Sequence, residues 1–333
     1  METVLRDQMN MQTRDEGLHV AAVVHSSERR LTDKVEVQPL GYRVRHAARW
    51  FTAIFAPVAP LFAWSVYREI RELDPDEIKI HMPNLSAFWL LFLPAARKRK
   101  WVVLWHSDVL PSKHSLGLHV FYRFYRPFET WLLTKADVVI ATSPPYLETS
   151  EPLKPFMDKC LVEPLEIDIE RIPRKIREAP QSPKAPGEGV RVLCVGRLTY
   201  YKDFGTVVQA VAAISNARLR IVGTGKMLTA LEGLTASLGA QERVRFMGDL
   251  PDEDLWEQFT WSDVHCLSSN ERTEAFGLCS LEAAAFGRPN VVSLIDGSGV
   301  AWAAERAFSP CFTFSSGSVS SLIEVLSCST WGK

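Results

Sequence analysis

The sequence predicts an α/β protein of two domains with a cleft between them, and three observations predict it. From residue 190 onward, short apolar runs alternate with stretches of helical period. The same rhythm runs less regularly through residues 17–162. Between them lies Arg171–Gly189, where Pro173, Pro180, Pro183 and Pro186 sit among Lys and Glu, a linker composition. Repeated β–α units imply parallel sheets with helices on both faces. A ligand then binds outside the carboxyl ends of the strands. The expected boundaries are 1–170 for the N-terminal domain, 171–189 for the linker and 190–333 for the C-terminal domain.

In the N-terminal half, Gly17–Val24, Ile78–His81, Trp101–His106, Asp137–Ala141 and Lys159–Val162 read as strands. Helices are expected at Leu61–Arg71, Ala87–Lys98, Leu116–Lys135 and Pro145–Lys154. The run Trp50–Tyr67 carries no charge, but Pro57 and Pro60 interrupt it. A spanning helix needs about 20 apolar residues, and two central prolines spoil one. The run therefore reads as a loop followed by a helix. Its aromatic residues, with the basic run Arg97-Lys98-Arg99-Lys100, leave room for peripheral contact with an anionic membrane face. A solvated helix end is the favoured reading of the basic run.

In the C-terminal half, Arg191–Val195, Leu219–Val222, Val244–Met247, Val264–Ser268 and Asn290–Leu294 read as strands. Phe204–Ile214, Lys226–Leu238, Asp252–Phe259 and Leu278–Phe286 read as helices. The last rests on Leu278, Leu281 and Ala285 at i, i+3 and i+7, with Gly287 as the stop.

Composition narrows the class. The 333 residues are 47% hydrophobic and 23% charged, a globular balance. A net charge of -1 gives no electrostatic case for nucleic acid. Six scattered cysteines without a C-x-x-C pair argue for reduced thiols in the cytoplasm, and against a zinc site or disulfide framework. No signal-like segment precedes the first strand candidate.

The chemistry-bearing residues cluster after the C-terminal strands. Glu274 and Glu282 bracket Ala275-Phe276-Gly277-Leu278, a loop running into a helix. A helix start offers unpaired N–H groups and partial positive charge. Two acids beside it suit a ligand with hydroxyls on both sides of a diphosphate, and a nucleotide sugar is such a ligand. Spacing alone favours a solvated helix start, with acids drawn to the helix dipole. Gly196-Arg197-Leu198 follows a strand, with Lys202 five residues beyond Arg197; two cations there would clamp a diphosphate. Gly223-Thr224-Gly225 and Phe246-Met247-Gly248 close two further strands, where free backbone could meet a ligand.

The ordered set Gly-Arg-Leu-x-x-x-Lys, Ile-Val-Gly-Thr-Gly, Phe-Met-Gly-Asp-Leu, Ser268-Ser269 and Glu-x7-Glu resembles the family 4 retaining glycosyltransferases, from about Gly189 to Val300. Trp105-His106-Ser107-Asp108, Ala141-Thr142-Ser143-Pro144 and Pro164-Leu165-Glu166-Ile167-Asp168 extend the likeness to the first half. His81-Met82-Pro83-Asn84 resembles a loop of bacterial polysaccharide and lipopolysaccharide members. The resemblance implies the GT-B fold, two Rossmann-like domains facing across a cleft. It implies that Arg197 and Lys202 bind the donor diphosphate and Glu282 the ribose hydroxyls. Glu274 would hold the donor sugar, and the N–H groups around Phe276, Gly277 and Leu278 would complete the contacts. His106 would touch the sugar near the reacting carbon. Transfer would be metal-independent, with no cofactor beyond a GDP- or UDP-linked sugar. Retention would use an oxygen of the leaving diphosphate to deprotonate the acceptor, and domain closure would exclude water.

Against the family pattern both ends look cut. Met1–Arg6 resembles a helix that normally follows a strand and a Gly-rich loop. Residues 327–333 stop before the late helices. Glu166 stands where the family has a small residue. The expected function is transfer of a hexosyl group, mannosyl or related, to a saccharide or lipid-linked acceptor in envelope or exopolysaccharide synthesis. The alternative is a truncated, inactive paralogue that binds nucleotide or a partner. A nicotinamide dehydrogenase fits poorly, because no G-x-G-x-x-G follows a strand with an acid about 20 residues on.

Overall fold

The computed structural model of the chain describes residues 2–53, 56–109 and 116–328. It divides into two units: Met1–Thr142 with Ser150–Pro164, and Ser143–Thr149 with Leu165–Lys333. The first unit runs through helix α1 (Glu2–Arg14), strands β1 (Ala21–His25), β2 (Lys34–Val37), β3 (Arg43–Ala47), β4 (Phe51–Ala53) and β5 (Ala56–Val58), and helix α2 (Phe62–Leu73). Strand β6 (Glu77–Met82), one turn α3 (Pro94–Arg97), β7 (Lys100–Trp105), α4 (Leu116–Lys135), β8 (Val138–Ala141) and, after the helix α5 described below, β9 (Cys160–Val162) complete it. Strands β6-β7-β8-β9 form a parallel sheet, and β1-β3-β2 a separate mixed one. Strand β7 lies between two neighbours and is buried from Trp101 to Trp105, so it reads as a continuous apolar run.

Three local features differ from expectation. The β2–β3 hairpin was unforeseen because its strands carry Lys34, Glu36, Arg43 and Arg45 among their apolar residues. Lys34 and Glu36 pair with each other at 2.5 Å, and helix α2 answers the two arginines. The buried Arg45 donates to Glu69 at 2.7 Å and to Glu72 at 3.2 Å, and Arg43 reaches Glu69 at 2.7 Å. Residues expected as a loop before α2 form the β4–β5 hairpin; residues 54–55 of that run lie outside the described residues. The single helix expected over Ala87–Lys98 is a 3₁₀ segment, Leu85–Phe92, followed by α3. Leu93 precedes Pro94, and a residue before proline is driven out of the helical region. It sits at φ -99°, ψ 104°. Helices α2 and α4 lie close to their expected spans. Among the described residues no helix is long and apolar enough to cross a membrane.

The second unit contains α5 (Pro144–Thr149), α6 (Arg174–Arg177), β10 (Arg191–Val195), α7 (Phe204–Ala213), β11 (Arg218–Val222), α8 (Leu228–Ser237), β12 (Val244–Gly248), α9 (Asp252–Trp261), β13 (Val264–Leu267), α10 (Cys279–Ala285), β14 (Asn290–Leu294), α11 (Val300–Arg306), β15 (Cys311–Ser315) and α12 (Val319–Leu326). Six parallel strands lie in the order β12-β11-β10-β13-β14-β15. The central strand β10 alternates faces. Val192 and Cys194 pack with Phe204, Val207 and Val211 of α7 and Leu322 of α12. Leu193 packs with Trp256 and Phe259 of α9 and Phe286. Burying a side chain of this size contributes about 1.5–3 kcal/mol. The order reverses between β10 and β13, the switch point where a crevice opens beyond the strand ends. The Pro-rich segment after Arg171 belongs to this unit: Gln181 donates to Asp263 at 2.6 Å, and Glu188 pairs with Arg191 at 2.9 Å.

One buried acid in the first unit gives a pH prediction. The carboxyl of Glu129 on α4 is buried beside the Tyr125 hydroxyl, and Arg126 stands 3.8 Å away. Burial chiefly pushes its carboxyl up to about 7 from 4.5. A raised pKa means the neutral form is favoured in the fold. The stability it contributes is complete below pH 4.5 and is lost as pH climbs through 7. Relative to Glu129→Gln, the native chain should lose up to ~3 kcal/mol between pH 5 and pH 8. Denaturant melts across that range check it; parallel curves for the two proteins would refute it.

Candidate active site

The ends of β10, β11 and β12 meet through glycines. A Cβ on Gly223 (φ 132°) would lie 2.1 Å from the Gly196 carbonyl oxygen, and one on Gly225 2.3 Å from that of Leu198. Only glycine permits that approach. The turns are joined by bonds from Gly196 N–H to the Val222 carbonyl (2.9 Å), from Leu198 to Thr224 (2.9 Å) and from Gly223 to Gly248 (2.7 Å). Gly196 (φ 151°) also leaves space for Lys202, whose Cε would stand 3.1 Å from an added Cβ.

Lys202 turns inward beside that glycine and is buried. Its Nζ lies 2.6 Å from Oε2 of Glu274, both side chains being about nine-tenths covered. Burial works against the charge on Lys202, but Glu274 outweighs it and the ammonium pKa is raised. Ser269 donates to the same Glu274 oxygen at 3.2 Å. Ser268 donates to the Lys202 carbonyl at 2.7 Å, and Asn270 N–H to that of Tyr201 at 2.8 Å. The loop after β10 is thus bonded to the loop after β13 at the switch point. Arg197 is exposed, with its guanidinium 3.5 Å from the Tyr201 hydroxyl.

Beyond Glu274 the chain enters α10 through buried Ala275 and Phe276 and through Gly277. A Cβ on Gly277 (φ 79°) would strike Leu267 at 2.5 Å. Gly299 N–H donates to the Ala275 carbonyl at 3.0 Å, so α11 holds the loop from behind. Helix α10 starts at Cys279, one residue later than expected, and Leu278 flanks it. Burial chiefly pushes the Cys279 thiol up to about 12, so it stays neutral. Asn290 orients this helix: its amide donates to the Ser280 carbonyl at 3.0 Å, and its oxygen meets His265 Nδ1 at 2.9 Å.

Glu282 lies within α10 and is buried, but its carboxylate is bonded by Arg171, which also stands 3.4 Å from Asp252. Arg171 escaped sequence reasoning because it sits in the segment of linker composition. Its only signal was a lone arginine after Asp168, whose side chain caps the short 3₁₀ turn Ile169–Arg171.

His106 lies in the first unit, just past β7. Its Nε2 is 2.8 Å from Nδ1 of His81 at the end of β6, with the rings stacked at 5.1 Å. Burial is the chief cause that lowers both, His81 to about 4 and His106 to about 3. Both rings are therefore neutral near pH 7, one donating and the other accepting. Asp108 steadies the turn by accepting from Trp105 Nε1 (2.8 Å) and Ser150 Oγ (2.6 Å). His81 was expected at the end of a strand and as the first residue of a loop motif, without a role in the site.

The structure therefore brings Gly196, Lys202, Gly223, Gly248 and Glu274 together, with Phe276–Leu278 and Glu282 following in one continuous segment. Family models cover most of the chain: residues 1–156 match one described as Glycosyltransferase Family 4, and 175–304 one described as Glycosyl transferases group 1. The chain belongs to the family 4 glycosyltransferases, with the GT-B fold. This glycosyltransferase is 29% identical to the D-rhamnosyltransferase WbpZ of Pseudomonas aeruginosa over 268 residues, 80% of this chain and 67% of that one. It is also 29% identical to the O-antigen chain mannosyltransferase C of Escherichia coli, over 83% of this chain and 72% of that one. Among solved structures, sucrose-phosphate synthase from Thermosynechococcus elongatus superposes with TM-score 0.73 at 19% identity, covering 97% of this chain and 82% of its own. Anabaena HepE, in complex with UDP and glucose, superposes with TM-score 0.59 at 17% identity, covering 85% and 75%.

The enzyme's Arg171–Glu282 contact is open to test. Arg171→Leu removes the counter-charge that this arginine supplies to a buried carboxylate, and should cost about 3 kcal/mol. Adding Glu282→Gln should recover part of that loss. Urea unfolding of the single and double variants measures both, and an unchanged single variant would dismiss the contact.

Proposed function

We propose that the enzyme transfers a hexosyl group, mannosyl or a related hexose, from a nucleotide-diphosphate sugar to a saccharide or lipid-linked saccharide. Transfer retains the anomeric configuration and serves cell-envelope or exopolysaccharide synthesis. The observation that carries this reading is the buried contact of Lys202 with Glu274 at the switch point, with Arg197 on the same loop. One cation and one acid side by side suit a ligand that joins a diphosphate to a hydroxyl-bearing ring. The rhamnosyl- and mannosyltransferase relatives support a hexosyl donor in a bacterial polysaccharide, and HepE with UDP supports a nucleotide donor.

In the proposed reaction the bond from the anomeric carbon to the diphosphate oxygen breaks and the acceptor oxygen takes its place. Negative charge grows on the leaving diphosphate, and Arg197 and Lys202 oppose it. The acceptor proton passes to a diphosphate oxygen on the same face. Glu274 holds sugar hydroxyls through the oxygen that Lys202 and Ser269 leave open. Two protein carboxylates acting as acid and nucleophile fit less well, because Glu274 and Glu282 are each held by a cation. The N–H groups of Phe276, Gly277 and Leu278, and the backbone at Gly223 and Gly248, complete the donor contacts. His106 is assigned a contact with the transferred sugar. The reading needs no metal, since two cations of the chain face the diphosphate. Six free thiols support a cytoplasmic setting.

Peripheral contact with an anionic bilayer has its own support. Trp89, Phe92, Phe124, Phe128 and Trp131 are exposed, and Phe92 contacts Trp89, Phe128 and Trp131. The exposed cations Arg97 and Lys98 follow the same 3₁₀ segment. Aromatic rings at headgroup depth with cations beside them suit an interfacial site.

Thermal shift against GDP, UDP, ADP and their sugars tests the donor reading. A nucleotide at about 100 times its dissociation constant should add roughly 2.7 kcal/mol. Lys202→Ala should lower turnover more than donor affinity, while Glu282→Ala should weaken donor binding by about 1–3 kcal/mol. Stabilisation without turnover would favour the non-catalytic alternative in its nucleotide-binding form, and no nucleotide response from folded protein would sink the donor reading. For the bilayer, sedimentation with phosphatidylglycerol vesicles should fall about tenfold or more in Phe92→Ser/Trp131→Ser; equal pelleting would rule that surface out.

A further inference from the structure

At the end of the second sheet opposite the glycine turns lies a cavity of about 890 Å³. Its wall carries five arginines and one lysine against three glutamates, although the whole chain has a net charge of -1. Three of those six cations are already engaged. Arg191 pairs with Glu188 at 2.9 Å and donates to the carbonyls of Ser182 and Pro183. Arg218 stands 3.4 Å from the same Glu188. Arg243 donates to the carbonyls of Val211, Ala212 and Ile214 at the end of α7.

Arg220 and Arg245 are different. They are direct neighbours in register on β11 and β12, so both project from the same face of the sheet. Neither forms an ion pair among the described residues. Arg220 is half-buried, lies over the Trp261 ring at 3.9 Å, and gives one N–H to Gln258 at 2.7 Å. Burial, and then the like charges of Arg245 and Arg191, lower its pKa. Like charges directly opposite on adjacent strands destabilise a sheet. Two guanidinium forks held side by side in a cavity of ligand size relieve that repulsion by sharing an oxyanion, which accepts from both.

We infer that the cavity is a phosphoryl-binding site, with Arg220 and Arg245 as its forks and Lys175 at the rim. Trp261 serves as the platform that fixes Arg220. The ligand class is a phosphate monoester or inorganic phosphate, three-oxygen dianions that can bridge both arginines. This site is separate from the donor site, because Arg245 lies near the start of β12 and Arg220 at the middle of β11, with Trp261 in the helix before β13, whereas Gly196, Gly223 and Gly248 lie at the far ends of the strands.

Calorimetry with inorganic phosphate at constant ionic strength, chloride as the control, tests the inference. Phosphate should bind above the chloride background, and Arg245→Ala should weaken it about tenfold. Arg245 is exposed, so the variant should fold; Arg220→Gln, which keeps an amide near Trp261, should weaken it similarly. Lys202→Met, which disables the proposed donor site, should leave it unchanged. A parallel arm uses vesicles containing phosphatidic acid against phosphatidylcholine. Arg245-dependent binding only to the acidic vesicles would still support the site and name a lipid headgroup as the source. Phosphate binding lost in Lys202→Met but kept in Arg245→Ala would overturn it, as would no binding in either arm.

Discussion

A single buried contact, Lys202 to Glu274 at 2.6 Å, organises the switch point of the second sheet. The lysine follows β10 and the glutamate follows β13, neighbouring strands whose helices leave in opposite directions. Everything near the contact serves to hold it. Gly196 yields space to the lysine stem, Ser268 anchors the lysine's carbonyl, and Ser269 completes the carboxylate. Removing two charges from water costs several kcal/mol each, and a buried pair is weak evidence for stability. A fold seeking only stability would fill this place with apolar side chains. The pair makes sense as charge kept dry and aimed until a ligand of mixed charge and hydroxyl character arrives.

The two ends of this sheet divide the labour by residue type. At the carboxyl ends, glycines at 223 and 225 let the turn after β11 approach the loop after β10 to distances that a methyl group would forbid. Backbone is therefore what the proposed donor would meet there, with Lys202 and Arg197 as the charges. At the opposite end the strands open with arginines at 191, 218 and 245 flanking Arg220. Between the ends, β10 is apolar on both faces and carries no polar side chain after Arg191. The apolar middle explains why charge collects at both ends. A parallel strand covered by helices on both sides places most of its polar side chains at its entrance and exit, and a buried exception such as His265 of β13 is hydrogen-bonded, here to Asn290.

Much of this was legible because it depends on short-range pattern. Strands β10 and β14 and helix α4 stand where apolar runs and helical period placed them. Lys202 and Glu274 were found from their positions after strands. What escaped depends on partners far away in sequence. Arg171 looked like linker, and only the fold brings it onto Glu282, 111 residues on. The hairpin β2–β3 was hidden by arginines that only Glu69 and Glu72 of α2 make tolerable. His81 and His106 are 25 residues apart and read as the ends of two separate strands; parallel pairing of β6 with β7 turns them into one hydrogen-bonded pair. The 3₁₀ segment before Pro94 was the local miss, where helical period outweighed the proline rule in the reading.

The eight-residue spacing of Glu274 and Glu282 invites a reading as two equivalent acids, yet the fold gives them different companions. Glu274 meets a lysine from the loop after β10, and Glu282 meets an arginine from the segment before α6. A carboxylate already compensated by a cation makes a poor nucleophile, because attack would strip it of its partner. The buried thiol at the head of α10 is no better, being neutral near pH 7. No side chain of this cluster is thus left as a free anionic nucleophile, whereas cations are abundant. A site so composed stabilises charge that departs more readily than it supplies charge that attacks. The proposed transfer, in which the leaving diphosphate both accumulates charge and takes up the acceptor proton, makes that demand and no other of these residues.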